Sequence, residues 1–223
     1  MARKARFVLV DYPLHVVQRG NHGQEVFRDE TDFLRYIRCL ETHAARYSVG
    51  ILAYCLMGNH VHLLIVPADV GAPAQMMHDV AGSYCRYFNN KYAEKGHLWE
   101  SRFYSSVVDS DAYRWTVGLY IEQNPVRAGL APRPEDWRYS SARHHALGES
   151  DPLVNQILFD KSDEGEYRRS LSQRPPDIQI EEIRKCARGN KPIGSGDFLV
   201  RLSSLFGISP LRRAGRPRNI PSQ

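Results

Sequence analysis

The spacing of apolar side chains divides the first two thirds of the chain into short extended runs and amphipathic helical stretches. Leu14-His15-Val16-Val17-Gln18-Arg19 is apolar and β-branched and predicts a first strand. Asp29, Glu30 and Thr31 offer capping side chains. Phe33, Ile37, Leu40 and Ala44 then recur every three or four residues, predicting a helix to about Tyr47. Two apolar runs, 51–57 and 60–67, flank Gly58-Asn59 and read as a β-hairpin with both strands central in a sheet. Residues 67–73 read as a loop, and Met76, Met77, Val80, Tyr84, Tyr87 and Phe88 mark a second helix to about Tyr92. Residues 98–108 are expected to be extended, with Asp109-Ser110-Asp111 as a cap cluster. The helix from about Ala112 must stop near Asn124, because proline disfavours helical dihedrals in the residue before it and Pro125 follows.

Strand, helix, hairpin, helix, strand, helix is the order of an α+β protein: a ferredoxin-like antiparallel sheet with packed helices. It predicts one unit over residues 1–148. A C-terminal extension over 149–223 follows, partly helical and ending in a basic tail. Residues 149–166 are acidic, 172–176 read as a linker, 178–187 as a short helix, and 211–218 as polar chain open to solvent.

Composition narrows the partners. With 42% hydrophobic and 25% charged residues, the chain has the make-up of a soluble globular protein. It has no apolar run of the ~18–20 residues that cross a bilayer, and no apolar segment follows the basic N-terminus as in a signal peptide. The four cysteines (Cys39, Cys55, Cys85, Cys186) are scattered, which argues against a disulfide framework and for a reducing cytoplasm. Residues 168–223 hold 12 Lys/Arg and 4 Asp/Glu, whereas residues 1–167 hold 18 and 21. A near-neutral body with a basic end suits a polyanion, nucleic acid first among them, or simply a soluble tail.

Two constellations can carry chemistry. Side chains alternate along a strand, so His60 and His62 share a face and Val61 takes the other. Two imidazoles so placed can share a divalent metal, although such pairs also occur as one packed and one exposed histidine. In Tyr120-Ile121-Glu122-Gln123-Asn124-Pro125, Tyr120 and Asn124 stand one helical turn apart, with Tyr113 and Thr116 extending the stripe. A phenol beside a carboxamide offers a nucleophile and a further ligand. Taken alone, Tyr120 is one of 12 tyrosines, most of which must be core or surface.

Gly58-Asn59-His60-Val61-His62-Leu63-Leu64 resembles the PNHVHLL signature of single-tyrosine transposases, and residues 120–130 resemble their YIxxNPVRAGL segment. His15-Val16-Val17-Gln18-Arg19-Gly20-Asn21, Leu98-Trp99-Glu100-Ser101-Arg102-Phe103 and Trp137-Arg138-Tyr139-Ser140-Ser141 agree with further blocks in the same order. The resemblance spans about residues 7–147, and the nearest group is the REP-associated tyrosine transposases. Gly58 stands where that signature has proline, a change a turn accepts.

The resemblance implies a metal-dependent single-stranded DNA endonuclease and strand transferase acting on palindromic hairpins. His60, His62 and Asn124 would hold Mg²⁺ or Mn²⁺, with Asn124 a weak neutral ligand. Tyr120 would attack a phosphodiester to give a 5′-phosphotyrosine and a free 3′-hydroxyl. It also implies a cytoplasmic, nucleoid-associated protein, monomer or homodimer, with no membrane partner. DNA-binding candidates are Arg19, Asn21, Arg102 and Arg127, each of which can instead make a structural ion pair. Arg216 and Arg218 of the Gly-Arg-Pro-Arg tail join them, in the manner of minor-groove arms. The other histidines (His43, His78, His97, His144, His145) read as surface or packing residues. Rival readings are a catalytically inactive DNA-binding or regulatory protein descended from a transposase, and a histidine-based metallohydrolase.

Overall fold

The computed structural model describes residues 6–109, 111–173 and 177–207. Its frame is one antiparallel sheet in the order β2-β3-β1-β4: β1 Leu14–Arg19, β2 Val49–Met57, β3 His60–Pro67 and β4 Tyr104–Val107. Helix α1 (Glu30–Arg46) joins β1 to β2, and α2 (Ala72–Tyr92) joins β3 to β4, the expected ferredoxin-like order. Helix α1 starts where Asp29 Oδ1 accepts from the Asp32 amide at 3.1 Å, and it buries the stripe Phe33, Tyr36, Leu40 and Ala44.

The hairpin forms as read, but β2 lies at the sheet edge rather than in the centre. Its nine residues are all buried because other segments cover that edge. The Leu56 amide donates to Tyr139 O, the Ser141 amide to Tyr54 O, and the Ile51 amide to Asn155 Oδ1. An apolar run reports burial, and a covered edge strand shares that property with a central one. Of the extended stretch 98–108, only β4 joins the sheet, with Trp99 making an isolated bridge to Gly20.

Both faces of the sheet are covered. Leu14, Val16, Val61, Leu63 and Ile65 meet α1 and α2 on one face. On the other, Leu52, Cys55, Met57 and Leu64 meet α3 (Asp111–Glu122) together with later helices. Those later helices are α4 (Asn124–Arg127), α5 (Ala142–Leu147), α6 (Glu164–Leu171), α7 (Asp177–Gly189) and α8 (Gly196–Phe206). Only α7 is read from the sequence as a helix beyond residue 130; α5 and α6 are short, and α8, as amphipathic as α7, is missed. The segment after residue 148 completes both cores: Leu153, Phe198 and Leu202 enter the first, and Leu158, Tyr167, Leu171, Ile180 and Ile183 the second.

Candidate active site

The pairing of β1 with β3 sets Arg19 opposite His60 and Val17 opposite His62. Pleating therefore puts His15, Val17 and Arg19 on the same face as His60 and His62, turned toward α3, while Val61 enters the α1/α2 core. The turn before β3 is held from behind. Gly20 donates its amide to Asn59 O, and a Cβ at Gly20 would lie 2.3 Å from Gln24 O, so only glycine allows this approach.

Each histidine has one ring nitrogen engaged. Asn59 Nδ2 donates to Gly23 O, which leaves Asn59 Oδ1 to accept from His60 Nδ1 at 2.6 Å. His62 Nδ1 meets Nε2 of the fully buried His15 at 3.1 Å, with the rings stacked at 5.3 Å between centroids. Nε2 is the remaining ring nitrogen of both His60 and His62. Desolvation, with Arg19 adding to it, lowers His60 to about 4. Burial, then the charges of His60, His15, Arg127 and Arg184, holds His62 well below the usual range. Burial alone takes His15 to about 3. All three rings are therefore neutral at physiological pH, as a ligating imidazole must be.

Helix α3 lies across this face and carries Tyr120, whose ring makes edge contacts with His15 and His62 at 5.8 and 5.6 Å between centroids. At the helix end, Asn124 Nδ2 donates to Tyr120 O and Ile121 O at 3.0 and 3.1 Å. Two carbonyls around the nitrogen fix the amide orientation and leave Oδ1 as its acceptor. The Arg127 guanidinium sits over the Tyr120 ring, 4.5 Å from its centroid, and donates to Tyr120 O. Burial lowers Arg127 to about 10, so it stays charged at neutral pH.

Two residues behind the tyrosine, Glu122 is fully buried. Its carboxylate accepts from Ser141 Oγ and, at 2.9 Å, from Tyr167 OH, and pairs with His145 Nδ1. This carboxylate ties α3 to α5 and α6.

His60, His62, Tyr120, Asn124, Arg19 and Arg127 line one open cavity of about 550 Å³. Asn21 and Arg102 do not line it, and Tyr113 and Thr116 turn to a separate cavity beside α7. Arg216 and Arg218 lie outside the described residues. His145, expected at the surface or in packing, is buried and pairs with Glu122. The cavity also holds residues that sequence reasoning passed over: Tyr104, Glu100, and Arg184 and Arg188 of α7. His15 entered the sequence reading only as part of a motif; strand register, which sequence spacing does not give, brings it to His62.

Among the described residues, no group of three or more His, Cys, Asp or Glu side chains is placed to hold a metal. The side chains whose chemistry could hold a cation here are His60 and His62, each through Nε2, with Asn124 through Oδ1. Among the described residues, no helix is long and apolar enough to cross a membrane.

The family model described as "Transposase IS200 like" matches residues 9–124, a stretch that holds both histidines, Tyr120 and Asn124. The chain belongs to the IS200-like transposase family. Membership makes it a DNA-processing protein of the transposase type. A Haemophilus influenzae protein named as a REP-associated tyrosine transposase is 28% identical over 134 residues, covering 55% of this chain and 76% of the relative. The fold is shared with a REP-associated tyrosine transposase solved bound to a REP hairpin. The TM-score is 0.52 at 17% identity, covering 79% of this chain and 99% of the other.

Proposed function

We propose that this IS200-like transposase cuts and rejoins single-stranded DNA at hairpins through a 5′-phosphotyrosine on Tyr120, with a divalent metal at His60, His62 and Asn124. The observation that carries the reading is the engagement of both Nδ1 atoms, which leaves two neutral Nε2 atoms on the cavity shared with Tyr120 and Asn124. A bound divalent cation supplies charge neutralisation at a phosphate oxygen. Two imidazoles and an amide oxygen suit Mn²⁺ better than Mg²⁺, which prefers oxygen donors throughout.

The chain's own residues do the rest. Tyr120 Oη attacks phosphorus, the P–O3′ bond breaks, and the 3′-oxygen leaves as a hydroxyl. A phenol is a poor nucleophile until it loses its proton, and the Arg127 guanidinium over the ring puts a positive charge beside the attacking group. His15 keeps the His62 ring turned so that Nε2 faces the cavity. The new ester retains the phosphodiester's energy, so a second 3′-hydroxyl can displace Tyr120 and join strands without a nucleotide cofactor. Arg19 and Arg127 neutralise phosphates beside the site, and the tail arginines Arg216 and Arg218 add charge for the duplex stem.

The experiment is a denaturing gel of the protein mixed with a labelled hairpin library carrying randomised single-stranded flanks, with and without Mn²⁺. The expected result is a metal-dependent shifted band that Tyr120→Phe abolishes while hairpin binding persists. Hairpin binding with no adduct under any metal would instead establish the inactive DNA-binding reading.

A further inference from the structure

Helix α7 lies beyond the 9–124 stretch that the family model matches, yet it forms a wall of the same cavity. Its apolar residues Ile180 and Ile183 are buried in the second core, and Ala187 lines the cavity. Arg184 and Arg188, one helical turn apart, project on a neighbouring stripe into the cavity. Glu182 faces the other cavity, beside Tyr113 and Thr116.

The position of α7 is fixed at its C-terminal end. Asn190 Oδ1 accepts from the Ser105 amide at 2.8 Å. The Ile193 amide donates to Val107 O, and the Asp109 amide returns to Ile193 O. Ser195, which caps α8, donates to Asp109 Oδ2. The sheet edge at β4 therefore holds the end of α7.

Arg184 is close enough for its charge to act on both His62 and Arg127. It also lines a second cavity of about 490 Å³ that meets the first at Arg127 and Arg184. Arg19, Arg127, Arg184 and Arg188 thus form a seam of four guanidiniums in which, among the described residues, Glu100 is the one acidic lining residue. Neither Arg184 nor Arg188 has a carboxylate partner among the described residues. Four guanidiniums on a cavity lined by a single carboxylate fit an anion with repeated charges.

We infer that Arg184 and Arg188 of α7 form a phosphate-binding wall that holds the DNA backbone next to the reacting phosphate, so that the C-terminal extension supplies one wall of the substrate cleft. This deepens the proposed function by assigning the flanking phosphates to a segment outside the matched family region. A single strand is the form assigned, since the chemistry proposed at Tyr120 acts on single-stranded DNA.

The test is binding of a fluorescent 20-nucleotide oligo-dT strand by the full chain across a salt series. Wild type is compared with Arg184→Ala/Arg188→Ala and with a charge-matched control, Arg38→Ala/Arg169→Ala, whose exposed arginines sit on α1 and α6 away from the cavity. Each single-strand phosphate neutralised contributes about 0.7 to the slope of log affinity against log salt. The α7 variant should therefore lose about 1.4 from that slope and about tenfold in affinity at low salt, while the control stays near wild type. An α7 variant that tracks the control overturns the inference, and one that binds tighter shows instead that α7 obstructs the cleft. Either outcome is distinguishable from failure of the phosphotyrosine reading, which is judged by the covalent adduct and not by oligo-dT affinity.

Discussion

His60 and His62 stand two residues apart on one strand, and each is held by a near neighbour in the sheet or its turn: Asn59 for one, His15 for the other. Tyr120, Asn124 and Arg127 come from a helix end that depends on segments far downstream. The Glu122 carboxylate reaches Ser141, His145 and Tyr167, and Arg184 closes the cavity from residue positions later still. The histidine half is preformed by strand pairing, whereas the tyrosine half is assembled by the packing of α5, α6 and α7. Damage to one half should therefore leave the other measurable.

The largest expected effect removes the histidine half outright. His60→Ala and His62→Ala should each lower metal-dependent adduct formation to below about a hundredth of wild type, since charge neutralisation at a phosphate is worth several kcal/mol. Thermal melting with and without Mn²⁺ gives the independent check. Wild type should gain midpoint on adding metal, each variant should not, and the metal-free midpoints should nearly coincide. A variant still stabilised by Mn²⁺ would place the metal elsewhere.

Loss of the Glu122 carboxylate strikes the other half. Glu122→Ala strands Ser141, His145 and Tyr167 in the interior, and breaking such a buried network costs about 3 kcal/mol. Urea unfolding should show this loss, while Mn²⁺ affinity of the folded protein stays close to wild type. An equal fall in metal affinity would mean that the two halves are not separable.

A smaller effect is expected at His15. His15→Phe keeps a buried ring but removes the acceptor at His62 Nδ1, and loss of such a partner typically costs at least about tenfold in metal affinity. Stability should not fall at neutral pH, because the substitution also removes His15 Nδ1, a buried nitrogen without a hydrogen-bond partner. Titration calorimetry with Mn²⁺ decides it, and unchanged affinity would reduce His15 to a packing residue.

The smallest effect is on acid stability. His15 and His60 bind protons in the unfolded chain below about 6.5 but in the folded chain only near 3 and 4. Their contribution is therefore complete above about pH 6.5 and is lost as pH falls toward those values. Urea midpoints at pH 7 and pH 4.5 should differ less in His15→Phe than in wild type; an unchanged difference would show that His15 does not carry the acid sensitivity.

The same division explains what was legible in the sequence. Period-two alternation placed His60 and His62 on one face, and helical spacing placed Asn124 one turn beyond Tyr120, because both are local relations along a single element. The sheet order was likewise readable from element order, apart from β2. Its apolar run does not tell a central strand from an edge covered by residues 139–141 and 155. His15 escaped notice because its partner comes from strand register rather than sequence spacing. Arg184 and Arg188 escaped because only tertiary packing brings α7 onto the cavity. Asn21 and Arg102, named as DNA-binding candidates, do not line the cavity that holds Tyr120.

The central claim is that Tyr120 is the covalent nucleophile, and the cavity contains its own competitor in Tyr104. Mass spectrometry of peptides from the adduct formed with Mn²⁺ and a hairpin substrate tests this directly. The prediction is a nucleotide joined through its 5′-phosphate to the peptide containing Tyr120 and to no other. A modification on Tyr104, or substrate cleaved with no modified tyrosine, would contradict it.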